Sequence, residues 1–224
     1  MSDANLSRQI DDYIQDLFAG RTGEDEALVA ALDNMQRNGL PAINVSPNEG
    51  RLLYILTKMC GAKKVLEIGT LGGYSTIWLA RAIPDDGQVI TLEYEPKHAE
   101  VARANLIRAG LSDKVVTRIG AAAETLPHIA ANGEGPFDLF FIDADKENYP
   151  LYLEWAIKLS HPGSVILSDN LIRNGTVMHP DPKNGVQTAI AKYNRELATN
   201  PRLESIILPI TRDSIDGLGI TIVR

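Results

Sequence analysis

Residues 203–224 read LESIILPITRDSIDGLGITIVR. Two runs rich in β-branched and apolar residues, 203–210 and 217–224, have the composition of strands, and only Thr211–Asp216 separates them. A parallel pair needs a crossover of about a dozen residues or more, so these two strands are predicted to form an antiparallel hairpin. Upstream the rhythm differs. VLEIGT (65–70), QVITLEY (88–94), VVTRIG (115–120), FDLFFIDA (137–144) and SVILSDN (164–170) alternate with helical candidates at 74–83, 96–109, 122–132, 149–159 and 185–198. That alternation signals βαβ units around a parallel sheet covered on both faces. Parallel β/α steps that close on a hairpin form a restrictive pattern: an α/β fold whose last strand runs antiparallel.

Helical patterns precede the first strand. Leu6, Ile10, Tyr13 and Leu17 mark one helical face, and Leu28, Leu32 and Met35 mark a second. Ser46-Pro47-Asn48-Glu49 supplies a cap, a proline at the first helical position and a capping-box acid. Leu52, Ile55, Leu56 and Met59 are expected to form the buried stripe of that third helix. Pro41 and the region of Gly23 break these segments apart. Repeats, linkers and low-complexity segments are not evident. The chain therefore reads as one domain, with N-terminal helices over 1–62 and a Rossmann-like core over 63–224.

Composition narrows the function. A chain of 224 residues, 44% hydrophobic and 23% charged, excludes disordered and fibrous classes. With 22 Lys and Arg against 29 Asp and Glu, the net charge of −7 argues against a surface built to grip nucleic acid. The single cysteine, Cys60, can form neither an intramolecular disulfide nor a thiolate zinc site. No apolar run approaches the roughly 18 residues of a membrane span, and the N-terminus lacks the pattern of a signal peptide. The expectation is a cytoplasmic protein.

In open α/β sheets, ligands bind at the carboxyl ends of the strands. The loop after the first strand is Glu67-Ile68-Gly69-Thr70-Leu71-Gly72-Gly73-Tyr74-Ser75. Leu71 stands where a G-x-G-x-x-G fingerprint has its second glycine, which disfavours a dinucleotide. Glu67 is expected to face the loop, where a carboxylate suits a ligand's ammonium group. Glu93 ends the second strand, placed to accept hydrogen bonds from a ribose diol. An amino acid joined to a ribose describes S-adenosylmethionine. Tyr54 and Lys58 have the spacing of short-chain dehydrogenase catalysis but precede the glycine loop instead of following it, and are assigned to packing.

Two neighbouring strand ends carry oxygen donors. The fourth ends in Asp143-Ala144-Asp145-Lys146 and the fifth in Asp169-Asn170. Asp143, Asp169 and Asn170, without Cys or His, suit Mg²⁺, Ca²⁺ or Mn²⁺ over zinc. Singly such residues cap turns; three on adjacent ends beside a lysine point to a metal site. A divalent cation nearby would favour the neutral amine of Lys146, the form able to take a proton from a hydroxyl. His98, His128, His161 and His179 lack ligand spacing and are expected on the solvated surface.

At these residues the sequence resembles the cation-dependent class I O-methyltransferases, the family of the caffeoyl-CoA and catechol enzymes. The resemblance rests on NVSPNEG, VLEIGTLGGYS, FIDADKENY and SDNLIRNG, in that order. It implies a Rossmann-like sheet of seven strands with the last one reversed, and usually a homodimer. It implies cofactor contacts at Val45, Glu67, Gly69, Thr70, Ser75, Glu93, Ala122 and Asp143, metal ligands at Asp143, Asp169 and Asn170, and a catalytic lysine at Lys146. The implied reaction is methyl transfer from S-adenosylmethionine to a vicinal-dihydroxy aromatic, a catechol or phenylpropanoid-like small molecule, with Mg²⁺ the leading cation. One departure stands out: Arg173 occupies a position that is aromatic in the plant enzymes, which points away from their thioester substrate and toward an anionic one. The segment MHPDPKNG (178–185) is a candidate substrate loop.

Three alternatives remain. Some bacterial relatives methylate a hydroxylated uridine in tRNA, for which Arg173, Lys183 and Lys192 could form a local patch. An NAD-dependent oxidoreductase is disfavoured by Leu71 and by the oxygen-donor set. A non-catalytic binding module would have no use for Asp143, Asp169, Asn170 and Lys146 together.

Overall fold

The computed structural model describes residues 3–18, 26–211 and 214–224; the break expected near Gly23, and Arg212 and Asp213 of the hairpin link, lie outside them. Three helices come first: α1 (Asp3–Phe18), α2 (Glu26–Arg37) and α3 (Pro47–Met59). The core then runs β1 (Lys64–Ile68), α4 (Tyr74–Ala82), β2 (Gln88–Glu93), α5 (Pro96–Arg108), β3 (Val115–Ile119), α6 (Ala122–Ala131) and β4 (Phe137–Ile142). It continues through α7 (Tyr149–Lys158), β5 (Ser160–Ser168), α8 (Gly185–Thr199), β6 (Leu203–Thr211) and β7 (Ile215–Val223). A single turn of 3₁₀ helix at Lys146–Asn148 follows β4, and a kinked 3₁₀ segment over Arg173–Met178, broken at Asn174 and Gly175, follows β5.

The seven strands form one sheet in the order β3-β2-β1-β4-β5-β7-β6. The first five pair in parallel, whereas β7 runs antiparallel to both β5 and β6. The fold is thus the α/β arrangement with a reversed last strand that the terminal hairpin predicted. Side-chain alternation sorts the apolar residues onto two faces. Val65, Val89, Leu139, Phe141 and Leu167 pack beneath α2 to α5, with Leu53, Trp78 and Val101. Leu66, Ile68, Ile90, Phe140, Ile142 and Ile166 pack against α6 to α8, with Leu126, Tyr152 and Ile190. Each fully buried aliphatic side chain contributes roughly 1.5–3 kcal/mol, so the sheet is a rigid platform for its loops.

The helical additions correct one expectation. Helix α3 has the capping box read from the sequence: the Glu49 N–H donates to Ser46 Oγ at 3.2 Å and the Ser46 N–H to Glu49 Oε2 at 2.7 Å. Its buried face, however, is Gly50, Leu53 and Thr57, while Ile55 and Met59 are exposed and Leu52 and Leu56 half-buried. Close approach to α4 decides this. A Cβ on Gly50 would fall 2.2 Å from the Trp78 indole nitrogen, so the face of small residues turns inward. Along α1, Leu6, Ile10, Tyr13 and Leu17 do share a face, and that face is exposed. Among the described residues, no helix is long and apolar enough to cross a membrane.

Candidate active site

The chain runs outward from β1 to β3 and then returns to β4 on the other side of β1. At that switch point the loops after β1 and β4 diverge to opposite faces and leave a crevice. The ladder continues one residue beyond the strands. Gly69 N–H donates to Leu92 O at 3.0 Å, Asp143 N–H to Ile68 O at 2.9 Å and Asp169 N–H to Ile142 O at 3.0 Å. Gly69, Asp143 and Asp169 therefore stand side by side as the first residues off three adjacent strands.

A cleft of about 870 Å³ opens on this rim. Val45, Gly69, Thr70, Ser75, Glu93, Ala122, Asp143, Lys146 and Asn170 all line it, so most of the residues singled out from the sequence are gathered in one place. Glycine is required at 69: φ is +101°, and a Cβ there would lie 2.0 Å from the Asp143 carbonyl oxygen. Leu71, in place of the fingerprint glycine, adopts φ +50°. Its N–H donates to Glu93 Oε2 at 2.7 Å, and the Thr70 N–H donates to the same oxygen at 3.2 Å. Glu93 Oε1 accepts from the Glu95 N–H at 3.0 Å. Glu93 is thus a clamp for the glycine loop as well as a cleft wall.

Glu67 differs from expectation. Strand alternation turns its side chain onto the sheet face shared with Val65, beneath α4, and it is fully buried outside the cleft lining. Its carboxylate accepts from Ser75 Oγ at 2.6 Å, Thr91 Oγ1 at 2.7 Å and the Thr76 hydroxyl. Burial pushes its pKa up to about 7 against the pull of those three hydroxyls. Glu67 reaches the cleft through other side chains, directly by Ser75 and by way of Thr91 through Thr70.

At the other end of the rim, Lys146 Nζ donates to Asp143 Oδ1 at 2.8 Å and to the Tyr149 hydroxyl at 3.0 Å. Tyr149 is buried and donates to Asp169 O at 2.9 Å, tying the ends of β4 and β5 together. Asp169 is 8% exposed and lies behind the cleft, against Val45 and Glu49. Burial, then the charge of Asp143, holds its carboxyl above the usual carboxylate range. Asn170 sits at φ +62° with its amide nitrogen 3.3 Å from Asp216 Oδ2. Two carboxylates, one almost buried, share a single lysine and stand beside a neutral amide. Among the described residues no group of three or more Asp, Glu, His or Cys is placed to hold a metal. This all-oxygen set fits a hard divalent cation with positions left for other oxygens.

Sequence reasoning missed three residues. His98, expected on the solvated surface, lines the cleft with Nδ1 3.4 Å from Glu93 Oε1. It stands on the first turn of α5, directly after β2, and that position beside the rim was the available signal. Tyr149 falls three residues after Lys146, where a helical turn returns to the same spot. Asp216 had no local signal. It accepts from the N–H groups of Ile172 and Arg173, both at 3.0 Å, and so fixes the loop that follows Asn170.

Fold and rim together are those of the α/β class I methyltransferases, and residues 21–224 match the O-methyltransferase family, to which the chain belongs. It is 45% identical over 220 residues to a catechol O-methyltransferase of Niastella koreensis, covering 98% of each chain. It is 46% identical over 203 residues to a catechol O-methyltransferase of Mycobacterium tuberculosis, covering 90% of each. A solved O-methyltransferase from Bacillus cereus, in complex with S-adenosylhomocysteine (SAH), superimposes with a TM-score of 0.94 at 40% identity, over 99% of this chain and 100% of that one.

Proposed function

We propose that this chain transfers the methyl group of S-adenosylmethionine to one hydroxyl of a vicinal-dihydroxy aromatic small molecule, and that it does so with a divalent cation, Mg²⁺ foremost. The observation that carries the reading is the position of Asp143, which lines the donor cleft and also stands beside Asp169 in the oxygen-donor corner. A donor in the cleft and an acceptor at that corner would meet at this residue.

The cleft supplies what the donor requires. Glu93 retains one lone pair, on Oε1, for a ribose hydroxyl while it clamps the loop. Gly69 lets the chain approach the ligand closely, and Val45, Thr70, Ser75 and Ala122 complete the walls. Asp143, Asp169 and Asn170 would hold the divalent cation, which would supply Lewis acidity to an acceptor hydroxyl. Lys146, the only lysine lining the cleft among the described residues, takes the hydroxyl proton. The oxygen lone pair then forms a bond to the methyl carbon as the carbon–sulfur bond breaks and its electron pair passes to sulfur. Rate enhancement comes from alignment and from charges fixed in advance. We read the protein as cytoplasmic and homodimeric; the exposed stripe of α1 supports the latter.

Methyl transfer from labelled donor to catechols, flavonoids, thioester phenolics and bulk tRNA, with and without Mg²⁺, tests this reading. Cation-stimulated labelling of the catechols is expected. Labelling confined to tRNA would favour the hydroxyuridine alternative, and failure to label any diol would refute the proposal.

A further inference from the structure

One lysine, Lys146, and one arginine, Arg173, line the cleft among the described residues. Lys146 is engaged by Asp143 and Tyr149. The guanidinium of Arg173 makes no ion pair and no hydrogen bond among the described residues, although its side chain is only half-exposed and lines the cleft beside Asn170. A half-buried guanidinium facing a cavity, with five donors and no acceptor, is poised for an anion from outside the chain.

Its backbone is held in place at a cost. Arg173 has φ +48°, Asn174 φ +54° and Gly175 φ +78°, three successive residues in the left-handed region. Non-glycine residues there persist only where their surroundings over-determine them. The hairpin supplies that constraint: Asp216 Oδ1 accepts the Arg173 N–H at 3.0 Å, and Asn174 Oδ1 accepts the Ile215 N–H at 2.9 Å. Asp216 also meets Asn170, so one carboxylate sets both an oxygen donor of the corner and the origin of the arginine. The cation therefore stands at a defined offset from the place where the diol would sit.

We infer that Arg173 is a specificity-determining residue that pairs with a carboxylate on the acceptor, making the preferred substrate an acidic ortho-dihydroxy aromatic. This rests on the methyltransferase reading above. The donor also carries a carboxylate, but Arg173 shares its loop with Asn170 at the end of β5, whereas Gly69, Thr70 and Ser75 follow β1, with β4 between the two strands.

The test compares kcat/KM for protocatechuate with that for its methyl ester and its amide, in the wild type, Arg173→Met and Arg173→Lys, alongside the Kd for SAH. In the wild type the acid should exceed both neutral analogues by about tenfold or more, as a charge-assisted pair at a half-buried site provides. Arg173→Met should collapse that ratio toward unity, Arg173→Lys should restore part of it, and SAH affinity should hold within about twofold. A wild-type ratio near unity, or a ratio that Arg173→Met leaves unmoved, would overturn the inference while leaving the methyltransferase reading intact. A tenfold loss of SAH affinity with the ratio unmoved would assign Arg173 to the donor and also overturn it. If the wild type methylates neither the acid nor the neutral diols, both readings fall together.

Discussion

The side-chain nitrogen of Lys146 lies 2.8 Å from Oδ1 of Asp143, and the same nitrogen is 3.0 Å from the hydroxyl of Tyr149. This small network sits where the donor cleft meets the oxygen-donor corner and points the one lysine of the cleft at the proposed acceptor. Removing the amine with Lys146→Met should lower kcat by roughly 10²–10⁴-fold, the usual worth of a positioned acid or base. Binding of SAH, read by calorimetry, should change little. A variant that loses donor binding and turnover in equal measure would show that Lys146 holds the cleft together and does not serve the chemistry.

Asp216 tests how the corner is positioned. Its carboxylate accepts the N–H groups of Ile172 and Arg173 and meets the Asn170 amide. Groups that orient a metal ligand commonly account for 10–100-fold in metal affinity. Asp216→Ala should raise the Mg²⁺ concentration for half-maximal turnover by about that factor, as measured by titration into chelated enzyme. An unchanged Mg²⁺ requirement would separate Asp216 from the cation.

Gly69 probes the close approach of β1 and β4. Gly69→Ala places a methyl against the Asp143 carbonyl at a backbone φ of +101°. Strain and overpacking each cost about 1–3 kcal/mol, so urea denaturation should show a loss of at least about 2 kcal/mol. Wild-type stability in this variant would mean that the two loops can separate freely.

Glu67 gives the fold a pH dependence. Its folded pKa is raised, first by burial, from an ordinary value of 4.5 to about 7. The unfolded chain therefore gives up this proton at lower pH than the folded one. Its contribution is fully present below about pH 4.5 and is lost as pH rises through about 7. The urea midpoint should fall between pH 5 and 8, and Glu67→Gln, which cannot ionise, should flatten that slope. An equally steep slope in the variant would assign the dependence elsewhere.

The residues that announce themselves in the sequence are those whose role follows from chain position. Strand ends fix the rim, so Gly69, Glu93, Asp143 and Asn170 could be placed from short apolar runs and the glycine loop. The alternation that defines a strand also sends Glu67 to the sheet face, yet reading it as a loop residue set that period aside. The stripe of α3 was misread because counting large apolar side chains overlooks Gly50, whose lack of a side chain is what lets α4 approach. Asp216 was illegible for another reason. It lies far along the chain from Asn170, and they meet only because the terminal hairpin brings β7 back beside β5.

The central claim is that the oxygen donors at the ends of β4 and β5 hold a cation required for methyl transfer. The most direct measurement is transfer of labelled methyl to a catechol by the wild type and by Asp169→Ala, each in EDTA and in Mg²⁺, with SAH binding measured in parallel. We predict that EDTA abolishes wild-type turnover and Mg²⁺ restores it, whereas Asp169→Ala stays inactive in both and still binds SAH. Normal methylation of the catechol by Asp169→Ala in EDTA would contradict the account.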